Sequence, residues 1–204
     1  MSQPKHATPE QARPFLEAFK FFYQINDASA NFFMRNTYPI SIKKGTMLHK
    51  AGDICNHIYF ITKGAVRGYV NDNGKEKITW ISVENEMVTS IYSYYMQQPS
   101  LENMDAIEDC EILSMSHEKL NELYNLEPSV NILVRRILEK YYADAEVRAL
   151  TSRFSDADTK YEFFLNTYSH LANRIPLTYI ASFLGINLET LSRVRAKKRS
   201  IKKS

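Results

Sequence analysis

The chain has 204 residues, a formal charge of +3, two cysteines and 44% hydrophobic residues. That length suits one large domain or two small ones with a sizeable core, and two cysteines exclude a disulfide framework. No apolar run is long enough to span a membrane and the opening MSQPKHATPEQARP lacks the apolar core of a signal peptide, so a cytoplasmic protein with no membrane partner is expected. The charge is unevenly placed: from Arg174 onward eight Lys/Arg face a single acid, Glu189. An acidic body with a basic end is the arrangement of a chain that meets a polyanion at that end.

Three zones follow one another. Between residues 8 and 35, Phe15, Phe19, Phe22, Phe32 and Phe33 recur at helical spacing, which predicts short helices covering something apolar. From Tyr38 to Ser116 the texture changes. Five of the six glycines, Gly45, Gly52, Gly64, Gly68 and Gly74, punctuate β-prone runs at Ile58–Thr62, Ala65–Val70, Ile78–Val83 and Ala106–Met115. Asn73-Gly74 between two of these runs predicts a two-residue hairpin. Many short strands with regular turns give a sandwich or barrel, not a parallel sheet.

The third zone opens at His117 with a short helix, Glu118–Leu126, and after Glu127-Pro128 a long one runs from Ser129 to Ser152. Val134, Leu138, Tyr141 and Ala145 make one seam along it, and Val130, Leu133, Ile137 and Val147 a neighbouring stripe. One stripe can lie on the β-domain; the other asks for a twin helix, so a homodimer through Val134, Leu138, Tyr141 and Ala145 is expected. A hinge is expected near Arg153–Asp158, with Asp156 and Asp158 capping a helix over Thr159–Leu171.

Residues 176–198, PLTYIASFLGINLETLSRVRAKK, read as a helix-turn-helix. Ala181 lets a second helix pack close and Gly185 tolerates a left-handed turn. Ile180, Leu184, Ile186, Leu191 and Val194 then fall toward a shared core, and Asn187 is a good N-cap. This leaves Leu188, Glu189, Ser192 and Arg193 on the exposed first turns, where a recognition helix meets the base edges of double-stranded DNA. Arg195, Lys197, Lys198 and Arg199 follow as candidates for the phosphate backbone.

A glycine-punctuated β-domain, a long helix and a terminal helix-turn-helix in that order resemble the Crp/Fnr family of bacterial transcription regulators, over roughly residues 36–199. KKGTMLHKAGDICNHIYFITKGAVRGY (43–69) follows the family's run of turns and strands, and LETLSR (188–193) resembles the Glu-x-x-Ser-Arg signature of the Fnr branch. The resemblance implies that Glu189, Ser192 and Arg193 read bases, and the chemistry agrees: a guanidinium pairs with both major-groove acceptors of guanine, and a carboxylate accepts from cytosine. It also implies an α+β fold: an N-terminal antiparallel β-roll, jelly-roll-like, with flanking helices, a long dimerisation helix and a C-terminal all-α helix-turn-helix domain. The expected division is 1–35, 36–127, 128–155 and 156–204.

Two features depart from that family. Many members add a β-wing after the recognition helix; here RSIKKS follows, so backbone grip is expected from the basic tail. Relatives that bind cyclic nucleotides carry a Gly-Glu pair and an arginine about ten residues later; here Thr89-Ser90 and Ser100-Leu101 stand in those places, and no Lys or Arg occurs between Lys77 and Lys119. No cyclic nucleotide binding is therefore expected. IYSYYMQQP (91–99) occupies the place of the cassette helix. Its aromatics, with Trp80, either line a pocket for an apolar small-molecule effector or fill that space; Trp80, Thr89, Ser90, Tyr92, Tyr95, Met96 and Ser100 are the candidate lining.

Other chemistry is thin. His49 and His57 lack the close spacing of a cupin metal site, and two distant cysteines cannot hold an iron–sulfur cluster. Neither a metal, a cofactor nor an enzymatic role is expected. Cys110 reads as a buried strand residue, and Cys55, in a turn beside Asn56 and His57, as a weaker candidate for a redox thiol. The expectation is a homodimeric, DNA-binding transcriptional regulator, with RNA polymerase as a further partner. The alternative is a sensor or scaffold module that acts through protein contacts.

Overall fold

The computed structural model describes residues 6–201, with side chains through Arg199. It divides into two compact units, one running through Val70 with Trp80–Lys140, the other comprising Asn71–Thr79 and the chain from Tyr141. The first begins with helices α1 (Pro9–Phe22) and α2 (Asp27–Asn36). A reciprocal Thr8–Gln11 capping box starts α1, and Asn26 starts α2 by accepting from the Ser29 amide at 2.8 Å. Phe15, Phe19 and Phe33 of these helices are buried, and Phe15 meets the ring of Phe60 edge-on at 5.2 Å. The apolar object that the helical phenylalanines cover is thus the β-domain.

That domain is an antiparallel roll of β1 (Tyr38–Ile42), β2 (Met47–His49), β3 (His57–Lys63), β4 (Val66–Asp72), β5 (Lys75–Ser82), β6 (Met87–Val88), β7 (Asn103–Ala106) and β8 (Cys110–Ser116), with helix α3 (Ile91–Met96) between β6 and β7. One sheet has the order β1-β8-β3-β6, the other β2-β7-β4-β5. Ile61, Val66, Val88, Ala106, Cys110 and Ile112 form a core cluster. The run Ala106–Met115, expected as one strand, is two strands in different sheets. The chain turns over Ile107–Asp109, where the Asp109 carboxylate accepts from the Lys44 amide at 2.9 Å and pairs with the Lys43 ammonium at 2.7 Å. Glu108 and Asp109 interrupt the apolar run at that corner, but an acidic pair does not by itself say that the chain changes sheets there.

Helices α4 (His117–Leu126) and α5 (Ser129–Ser152) follow the roll. Val130, Leu133 and Ile137 are buried, and Arg136 donates to the Phe22 carbonyl at 2.8 Å. Val147, expected on the same stripe, is instead 41% exposed. The division between units falls inside α5, after Lys140, while α5 ends where a hinge was expected. Helix α6 (Ala157–Tyr168) starts on Asp156, whose side chain accepts from the Thr159 amide at 2.8 Å, and a 3-10 turn, Ser169–Leu171, ends it. Helices α7 (Leu177–Leu184) and α8 (Leu188–Ile201) complete the described chain. No helix among the described residues is long and apolar enough to cross a membrane.

Within the roll, Trp80 lies flat against Gly68, so that a Cβ on Gly68 would overlap the indole. Its Nε1–H donates to Glu102 at 3.0 Å. Gly68→Ala must therefore displace the indole or the strand, and overpacking of this kind costs about 1–3 kcal/mol. Urea denaturation should show that loss, together with a shifted tryptophan emission, since Trp80 is the sole tryptophan.

Candidate nucleic-acid interface

The pair α7–α8 is built as the sequence pattern requires. Gly185 adopts φ 62°, ψ 36° after α7, and the amides of Gly185 and Ile186 return to the carbonyls of Ser182 (3.1 Å) and Ala181 (3.0 Å). This is a Schellman closure, which satisfies carbonyls that the helix end leaves open. Ala181, Ile180, Leu184, Leu191 and Val194 are buried, and Ile186 is half-buried. Asn187 Oδ1 accepts from the Thr190 amide at 2.7 Å and starts α8. Leu188, Glu189, Ser192 and Arg193 lie exposed on its first two turns.

The cations after Arg193 do not all share that face. Arg195 is half-buried and donates to the Ala172 carbonyl at 3.2 Å, bracing the segment ahead of α7. Lys197 and Lys198 lean back on α6, pairing with Asp158 and Glu162, both at 3.3 Å. Arg193 and Arg199 form no ion pair among the described residues and are exposed. The last part of the basic tail, from Lys202, lies outside the described residues.

Two positioning groups escaped the sequence reading. Lys160 of α6 is 6% exposed, and its ammonium donates to the Leu184 carbonyl at 3.1 Å, a cation at the negative end of α7. Ser182 of α7 accepts from the Ile78 amide at 3.0 Å and donates to the Glu76 carbonyl at 3.1 Å. It thereby ties α7 to the tip of the β4–β5 hairpin within the second unit. One lysine in a polar helix and one serine beside a phenylalanine carry no local signal of such roles.

Hydrogen bonds among hydroxyls cross the cassette of the roll. Ser90 and Ser100 hydroxyls are 2.9 Å apart, Ser100 Oγ donates to the Glu102 carbonyl at 2.7 Å, and Glu102 carries the Trp80 bond. Thr89 donates to the His57 carbonyl at 2.9 Å and lies 3.3 Å from the Cys55 thiol, which is buried. Tyr92 and Met96, expected to face the pocket, are 52% and 63% exposed; the buried ring is Tyr94, with Tyr95 half-buried beside it. Both faces of α3 are aromatic or apolar, so composition could not say which one turns inward. Burial pushes the Tyr94 and Tyr95 hydroxyls upward, and Tyr94 Oη has no hydrogen-bond partner among the described residues.

Arg67, the buried arginine of the roll, is committed elsewhere. Arg67 makes a bidentate pair with Asp105 at 2.7 and 2.9 Å, with side chains 6% and 13% exposed. Among the described residues no cluster of three or more His, Cys, Asp or Glu is placed to hold a metal. Cys110 is buried, and desolvation raises its thiol.

Comparison with known proteins fits this geometry. Residues 39–126 match the cyclic nucleotide-binding domain family. The transcriptional activator protein FnrA of Stutzerimonas stutzeri is 29% identical over 171 residues, covering 75% of this chain and 67% of the relative. The anaerobic regulatory protein of Haemophilus influenzae is 27% identical over 165 residues, covering 75% and 63%. The chain thus spans about two thirds of the length of these relatives. Among solved structures, FixK2 from Bradyrhizobium japonicum superposes with a TM-score of 0.70 at 19% identity, covering 81% of this chain and 86% of that one. The c-di-GMP-responsive global regulator CLP of Xanthomonas campestris gives 0.66 at 17%, covering 87% and 93%. At such identities the structural likeness concerns the fold.

The cap that starts α8 can be separated from what its face reads. Asn187→Ala should lower the stability of the second unit by about 1 kcal/mol, whereas Asn187→Asp keeps an acceptor and the stability. Faster amide exchange at Thr190 in the alanine variant alone checks this.

Proposed function

We propose that this chain, a member of the Crp/Fnr family, is a homodimeric, cytoplasmic transcriptional regulator that reads double-stranded DNA with α8 and has no enzymatic role. One observation carries the reading. The capped start of α8 displays Leu188, Glu189, Ser192 and Arg193 to solvent, with Arg193 and Arg199 uncommitted to any carboxylate. A free guanidinium next to a carboxylate and a hydroxyl is a base-reading set, since arginine pairs with guanine and glutamate with cytosine. Dimerisation through α5 is supported by its half-buried Val134, Leu138 and Tyr141. Ala145, placed on the same seam by the sequence pattern, is exposed and stays part of the proposed contact. RNA polymerase remains a proposed partner of the DNA-bound dimer.

The division of the cations sets the expected phenotype. Arg193→Ala should cost about 1–3 kcal/mol at one base pair per half-site and relax specificity there. Arg195→Ala should act through stability instead, because that guanidinium braces the Ala172 carbonyl. If the dimer neutralises about 6–10 phosphates, affinity should fall roughly 10³–10⁵-fold between about 50 and 200 mM salt. Titration of a two-fold symmetric duplex, selected from a random library, measures the first and the third, with two chains bound per site, and thermal denaturation measures the second. An unchanged sequence preference in Arg193→Ala would remove α8 as the reading element, and the scaffold alternative would gain.

We further propose that the roll does not take cyclic AMP or cyclic GMP at physiological concentration, although its domain family is named for such ligands and CLP responds to c-di-GMP. A cyclic phosphate inside a roll needs a countercharge, because burying an unpaired anion costs several kcal/mol. No Lys or Arg lies between Lys77 and Lys119, Arg67 is held by Asp105, and Ser90 and Ser100 bond each other. Any small-molecule effector of the roll would therefore be of another class. Titration calorimetry with both nucleotides should show no binding in the micromolar range; a low-micromolar constant would overturn this reading.

A further inference from the structure

The second unit contains a half-open pocket of about 280 Å³, separate from the roll's cassette. Ile78 of the hairpin tip, Ala149 of α5, Phe163 of α6, and Phe183 and Leu184 of α7 give it apolar walls. The lining contains one charged side chain, Arg148, which is half-buried. Among the described residues that guanidinium has neither an ion pair nor a hydrogen-bond partner. The lining hydroxyls of Thr151 and Ser152 are turned to their own helix, donating to the Val147 and Ala149 carbonyls at 2.8 and 2.7 Å.

A half-buried arginine without an acceptor is an incomplete arrangement. Its planar fork matches a carboxylate through two parallel bonds, and partial removal from water makes such a bond stronger. Apolar walls around one convergent charge are also the general composition of a small-molecule site, and this volume is at the small end of that range. We infer that the pocket binds a small apolar carboxylate, aromatic or aliphatic, with the carboxylate on Arg148 and the hydrocarbon between Phe163, Phe183 and Ile78. The occupant would touch both the hairpin tip and the helix that Ser182 ties to it, so it would sit directly behind the DNA-reading pair. The site itself does not depend on the DNA-reading function.

Calorimetry on the full-length protein, with 4-phenylbutyrate as probe and 4-phenylbutanol as its uncharged counterpart, tests this. The carboxylate should bind roughly ten- to a hundredfold more tightly than the alcohol, the gain expected of a charge-assisted pair. Arg148→Gln should erase that difference while the alcohol still binds. Ala149→Leu should fill the space and abolish binding of both, with the thermal midpoint unchanged or raised. Absence of binding up to millimolar probe, an unchanged carboxylate preference in Arg148→Gln, or retained binding in Ala149→Leu would each overturn the site.

Discussion

The left-handed backbone at Gly185 is the constraint from which the exposed face of α8 follows. A chain that leaves α7 with φ of 62° closes its own last carbonyls and starts α8 three residues later, at an angle that tertiary packing then holds. Ile180, Leu184, Leu191 and Val194 can meet only if that turn is made, and their burial in turn puts Glu189, Ser192 and Arg193 outside. Lys160 reinforces the same point from beneath, since its ammonium satisfies the Leu184 carbonyl one residue before the turn. Any side chain at position 185 would have the space but not the conformation, with a cost of about 1–2 kcal/mol.

The basic groups of this unit divide into those bonded within it and those left exposed. Arg195, Lys197 and Lys198 each hold a carbonyl or a carboxylate of the same unit, while Arg193 and Arg199 hold none. The exposed pairs at 3.3 Å are individually weak, of the order of 0–1 kcal/mol, so phosphates can compete for those lysines. Arg195 is different because it is half-buried and bonded to main chain. A run of five basic residues within seven positions therefore contains two kinds of group: those that brace and those that remain available.

In the roll the same accounting has the opposite result. The two places where nucleotide-binding relatives carry a Glu and an Arg hold serines that bond each other, and Trp80 fills the space over Gly68 with its N–H on Glu102. The two short hydroxyls satisfy each other across the cassette. The buried polar groups of this region, Arg67, Thr89, Ser90 and Ser100, are each bonded to other groups of the roll.

Much of this was legible in the chain itself. The helix-turn-helix, the Asn187 cap, the Asn73-Gly74 hairpin and the burial of Val130, Leu133 and Ile137 rest on spacing and turn chemistry within a few residues. The missing countercharge is likewise a property of residues 78–118 alone. What the tertiary structure decided was set by groups distant in sequence. It split Ala106–Met115 between two sheets, turned Tyr94 inward in place of Tyr92 and Met96, and exposed Val147. It also brought Lys160 to Leu184, Ser182 to the edge of β5, and Arg148 to a pocket. Periodicity reports which face of an element is apolar, and it fails where both faces are apolar or where one polar side chain finds its partner across the fold. Those partners are fixed by packing, which no local pattern encodes.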